Sequence, residues 1–238
     1  MQSQILCGFL EVYMPLSPMK NRLFVSFLAL AALVVVPLSH ARDSIPMEVE
    51  RVNFSSERAG NRGNWQEIEI QLQINGYSSD QAKALELNNP NFLNDIEVIL
   101  HLAYNVRTPE GRVAEDDQGE PKLVFYSSEV EIASLERNAR NNQVLFYLPP
   151  EIVKRDRIRA AQEPARFLIE LRADGREIPF SGRSARRMSD DLMNREAVSE
   201  FTSRVRSEAS RNEGILMPIY KTPFWHGQRN ENVPPYVW

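Results

Sequence analysis

The 238-residue sequence predicts a mainly all-β protein: a β-sandwich followed by a C-terminal α-helix and an extended tail rich in aromatic residues and proline. Three observations lead there. Apolar and polar residues alternate at period two from Met47 to about Leu171, the pattern of strands with one face in a core and one in water. From Ser189 the apolar spacing becomes helical. Beyond Gly214, four prolines exclude helix, while Phe224, Trp225, Tyr236 and Trp238 make the segment too apolar for a simple disordered linker.

The chain opens with a leader. Lys20 and Arg22 introduce an apolar run from Leu23 to Leu38, and Ser39-His40-Ala41 supplies a small-x-small cleavage site. The run is short of the roughly 20 residues a spanning helix needs, and Pro37 interrupts its end. Residues 1–41 therefore read as an N-terminal extension plus a cleaved signal peptide, with Met14 or Met19 as alternative starts. Export to the periplasm, the outer membrane or the cell surface is expected, with no transmembrane anchor in the mature chain. Gly8-Phe9 with Glu11 has a trace of a prepilin site, but Met14-Pro15-Leu16-Ser17-Pro18 breaks the helix such a site requires. Cys7, the only cysteine, precedes the cleavage point, so neither a disulfide nor a thiol nucleophile is expected. The formal net charge of −4 on a mixed-sign chain argues against nucleic acid as a partner.

Residues 45–182 carry the strands. Met47 and Val49 are out of phase with Val52 and Phe54, which predicts an edge strand with a bulge. Ile68, Ile70, Leu72 and Ile74 alternate with Glu67, Glu69, Gln71 and Gln73. Ile96 to Val106 repeats this in a longer, central strand. Further strands read at Leu123–Tyr126, Val130–Leu135, Val144–Leu148 and Phe167–Leu171. Gly and Asn mark the turns, and Asp174-Gly175 predicts a hairpin. Pro149-Pro150 followed by Ile152–Arg155 predicts a short helical turn between two sheets. About seven or eight antiparallel strands without long helices between them give a sandwich, with an immunoglobulin-like β-sandwich as the leading topology.

Residues 189–212 read as one amphipathic helix with Ser189 as N-cap and a stripe of Met193, Ala197, Val198, Phe201, Val205 and Ala209. Residues 213–238 form the tail. A stripe and four large aromatic groups exceed what a closed sandwich needs. They either cover an open face or edge of the same domain or dock on a neighbour. The candidate partner-binding residues are Phe201, Val205, Tyr220, Phe224, Trp225, Tyr236 and Trp238.

No Ser-His-Asp arrangement stands out. His101 reads as a partly covered sheet-face histidine and His226 as a solvated tail residue. The acidic stretch Glu115-Asp116-Asp117 lacks Ca²⁺-loop spacing and reads as a hairpin tip. The clusters Arg155/Arg157/Arg159 and Arg183/Arg186/Arg187 read as charge-balanced surface. No catalytic residue, cofactor or metal is expected.

The leader, the disulfide-free sandwich, the late helix and the tail Pro218-Ile219-Tyr220-Lys221-Thr222-Pro223-Phe224-Trp225 resemble exported immunoglobulin-like proteins encoded with a type IV pilus-like gene cluster in Akkermansia and related bacteria. The likeness covers the mature chain in outline, and the tail is its local motif. It implies an immunoglobulin-like fold, an envelope or surface location, and a part in pilus-like assembly. Without a prepilin leader, that part is an accessory one. The resulting expectation is a non-enzymatic interaction protein of the bacterial envelope, whose partners are envelope or pilus-like assembly proteins and whose association is lost on truncation after Gly214. The alternative is a glycan-binding module, with Trp65, Trp225 or Tyr77 stacking on sugar rings. A hydrolase with a carboxylate site ranks third.

Overall fold

A computed structural model describes residues 45–60, 63–159, 161–180, 186–226 and 232–237. The predicted leader and its expected cleavage site, Gly182, Arg183 and Trp238 lie outside the described residues.

The alternation at its clearest forms β2 (Asn64–Ile74), antiparallel to β1 (Met47–Arg58). Val49 stands opposite Leu72 and Arg51 opposite Gln71, so Glu50 is an extra residue in β1. This bulge lets Met47 and Val49 share the core face with Val52 and Phe54, which explains the phase break in the sequence.

A short helix α1 (Ser79–Ala84) leads toward β3 (Phe92–Asn105). It was not anticipated, although Ser78 and Gln81 form a reciprocal capping box that is visible as S-x-x-Q. β3 pairs with β4 (Leu123–Glu136) on one side and with β6 (Arg166–Ala173) on the other. β4 is continuous where two strands were expected. Ser127, Ser128 and Glu129 break its apolar pattern, yet they pair with His101, Leu100 and Ile99 and carry the ladder through. β5 (Gln143–Leu148) joins β2, and α2 (Pro150–Arg155) then takes the chain to the other sheet, as Pro149-Pro150 predicted. β6 turns into β7 (Arg176–Glu177) through Asp174 and Gly175, both at positive φ, as a two-residue hairpin requires. Last comes β8 (Met217–Pro218).

The strands form two four-stranded antiparallel sheets ordered β1-β2-β5-β8 and β4-β3-β6-β7. Ile68, Ile70 and Leu72 share one core cluster with Val98, Leu100, Leu102 and Ile169, all fully buried. Each such side chain contributes roughly 1.5–3 kcal/mol by burial.

A second cluster sits on the outer face of the β3-containing sheet. There α3 (Arg195–Glu208) lays Phe201 and Val205 against Ala103, Phe125 and Leu168. The expected single helix over 189–212 is broken into a 3₁₀ turn (Asp190–Leu192), α3, and a second 3₁₀ turn (Ala209–Asn212). The expected cap is also displaced. Ser189 Oγ accepts the Phe167 N–H at 2.8 Å, while Asn194 Oδ1 caps α3 by accepting the Ala197 N–H at 2.7 Å. Met193 therefore leaves the stripe and is 59% exposed.

Candidate functional site

The apolar character of β5 decides what happens to the tail. Val144 and Phe146 face the core, and Leu145 and Tyr147 on its other face are equally buried, so the strand needs cover on both faces. The chain supplies that cover itself. Met217 and Pro218 extend the sheet beside Tyr147 and Phe146, and Ile219 is fully buried. Thr222 Oγ1 donates to Ile219 O at 2.7 Å and accepts the Phe224 N–H at 3.3 Å. This turn sets Phe224 stacked on Tyr147, with centroids 4.7 Å apart, and edge-on to Trp65 at 5.5 Å. Tyr147 Oη donates to Glu67 at 2.6 Å. Further on, Ala133 N–H donates to Pro235 O and Val237 N–H to Glu131 O, which seats Tyr236 beside Ile132 on the β4 edge.

The predicted partner-binding residues thus lie mostly within the chain's own packing. Phe201, Val205, Phe224 and Tyr236 are buried, and Tyr220 and Trp225 are half-buried against Tyr236 at 5.4 and 6.2 Å. Trp238 lies outside the described residues. Of the proposed sugar platforms, Trp65 packs under Phe224, and Tyr77 is buried with its hydroxyl donating to Asp174 at 2.8 Å. Neither ring offers a face to a ligand.

The arginine clusters also break up. Arg187 is buried: its Nε donates to Ile169 O at 3.1 Å and its Nη1 to Ile178 O at 3.0 Å, and its guanidinium lies 4.4 Å over the Phe180 ring. Desolvation pushes its pKa down to about 10. Arg155 joins Asp156, Tyr126 and Asn212. Asp116 in the acidic stretch accepts two backbone N–H groups, from Gln118 and Glu120, which holds its carboxyl below the usual range and makes it a turn residue.

The far side of the sandwich differs from the tail side. The β6 edge is covered, because Ile169 N–H donates to Arg187 O and Ser189 N–H to Phe167 O. Among the described residues β1 pairs with β2 alone. Arg186 Nη1 donates to the bulge carbonyl of Glu50 at 2.7 Å, and Phe54 meets Phe167 edge-on at 5.6 Å. Two open hollows border this edge. One of about 460 Å³ lies between Arg51, Val52, Phe167 and Arg186; the other, of about 610 Å³, lies between Val52, Phe54, Ser55, Ala161 and Glu163. A free strand edge with side-chain hollows is the geometry that accepts an added strand.

One polar cluster escaped the sequence reading. His101 is only 7% exposed; its Nδ1 lies 2.9 Å from Ser127 Oγ and its Nε2 3.4 Å from Glu170. The three come from β3, β4 and β6, so only the strand register brings them together. The hydrogen bond from His101 holds the Glu170 carboxyl below its ordinary pKa, against the opposing effect of burial. With Nε2–H toward Glu170, Nδ1 is free to accept the Ser127 O–H and polarise the serine oxygen. A hollow of about 460 Å³ opens beside it, bordered by Glu129, Arg206, Glu213 and Lys221.

Among the described residues no group of three His, Cys, Asp or Glu converges as a metal site, and no helix is long and apolar enough to cross a membrane. Against known proteins, no family model, no curated protein and no solved structure matches this chain.

Proposed function

We propose that this chain is an exported, non-enzymatic interaction protein of the bacterial envelope with an immunoglobulin-like fold, accessory to a pilus-like assembly, and that partners dock on the β1 edge. The observation that carries the reading is the asymmetry of the sandwich. One side is closed by the chain's own tail, while β1, among the described residues, keeps an unpaired edge between two hollows. The leader and the tail motif support the location. The strand order supports the fold. With β1, β2, β3, β5, β6 and β7 taken as strands A, B, C, E, F and G, one sheet contains A-B-E and the other C-F-G, as in constant-type immunoglobulin domains. β4 lies beside strand C instead of beside E, and β8 from the tail fills the vacated edge of E.

Proximity labelling in the native envelope tests this, comparing the wild type with Asn53→Lys/Ser55→Lys, which places two like charges on the edge. Loss of envelope neighbours in a folded variant supports the proposal. An unchanged set of neighbours, or a cytosolic set for the wild type, overturns it.

A second reading has one observation in its favour. Ser127 polarised by His101 and Glu170 has the elements of a serine nucleophile, with Arg206 and Lys221 at the rim as cations for a developing oxyanion. Stoichiometric labelling by a fluorophosphonate that disappears in Ser127→Ala would establish it. An unlabelled wild type removes it.

A further inference from the structure

We infer that the β1 edge takes the β1 edge of a second copy of this chain, antiparallel about a two-fold axis through Phe54. The inference rests on the reading of β1 as the docking edge and names its occupant. Two copies that extend one sheet with their cores on the same side must set inner-face residues opposite inner-face residues. For identical antiparallel strands this restricts the axis to a residue position, and four such positions lie near the middle of the edge: Val52, which would set Arg51 opposite Asn53, and Asn53, Phe54 and Ser55.

Charge selects among them. Centred on Phe54, Arg51 of each copy stands opposite Glu57 of the other, and both side chains lie on the outer face, as their partners Gln71 and Trp65 on β2 do. Asn53 then meets Ser55, Val52 meets Ser56, and Arg58 reaches the bulge residue Glu50. Centred on Asn53, Arg51 would face Ser55. Centred on Ser55, Glu57 would face Asn53. Only the Phe54 register pairs Arg51 with Glu57, and symmetry provides the pair twice. Phe54, half-buried against Phe167, would meet its own symmetry mate across the axis. The product is an eight-stranded sheet running from β8 of one copy to β8 of the other. Charges that elsewhere guard an edge strand here specify one partner and one register.

Sedimentation equilibrium at low salt on the wild type, Arg51→Glu, Glu57→Arg and the double swap tests this. The wild type should be a dimer. Each single substitution sets like charges opposite each other twice and should weaken the dimer at least tenfold, and the double swap should restore it to within about threefold. Circular dichroism on each variant confirms that the fold is retained. A monomeric wild type overturns the second-copy occupant while leaving the docking edge to the envelope labelling experiment. A dimer indifferent to the single swaps, or one the double swap does not restore, overturns it equally.

Discussion

Phe224 lies stacked on Tyr147, with ring centroids 4.7 Å apart and planes inclined by 19°, so a residue of the tail completes the outer face of a central-core strand. Trp65 closes the cluster edge-on. Truncation after Gly214 would remove this ring together with Leu216, Ile219 and Tyr236, all buried. It would therefore unfold the sandwich and could not report on partner association alone. Phe224→Ala is the sharper probe. It should cost about 3 kcal/mol, read as a lower urea midpoint and altered Trp65 fluorescence. Unchanged stability would mean that the tail is not part of the core.

The tyrosines from Tyr77 to Tyr236 all have phenol pKa values raised above 10.0, with burial as the largest cause in each. A group whose folded pKa is raised contributes stability that is complete below its unfolded pKa and is lost as pH rises. Absorbance at 295 nm should accordingly show little phenolate from them just above pH 10, then release on alkaline unfolding. A smooth titration at the model-compound position would show that these phenols are open to water.

Glu170 has the opposite sign. Its folded pKa is lowered below 4.5, chiefly by the hydrogen bond from His101, so its contribution is present above 4.5 and fades as pH falls through the folded value. The wild type should be more stable than Glu170→Gln near neutrality, and the difference should shrink in acid. A constant difference across the titration would detach Glu170 from His101.

At the start of α3, Asn194→Ala should cost about 1 kcal/mol by leaving the Ala197 N–H without its acceptor, and Asn194→Asp should largely retain stability. Equal stability of all three by urea titration would place the cap elsewhere.

What could be read from the chain was local. The Glu50 bulge, the alternation of Ile68 to Ile74, the Asp174-Gly175 hairpin and the Pro149-Pro150 turn each follow from a few adjacent residues obeying one backbone constraint. The elements that escaped depend on pairing between distant segments. The continuity of β4 through Ser127–Glu129 comes from β3. Ser189 looked like a cap because its competing acceptor role, toward the Phe167 N–H, belongs to another strand. His101 was visible, but Ser127 and Glu170 became its neighbours only through register. The aromatic tail was the hardest, since the same residues suit a partner's surface or the chain's own β5, and only the doubly apolar β5 decides between them.

The tail closes one side of the sandwich and, among the described residues, leaves β1 as the open edge. Amide hydrogen exchange on dilute protein tests it most directly. Ala133, Gln143 and Val237, which donate to or from the tail, should be protected to nearly the global unfolding free energy, while alternate amides of Val52–Arg58 exchange rapidly. Fast exchange at those three positions, with uniform protection along β1, would contradict the account.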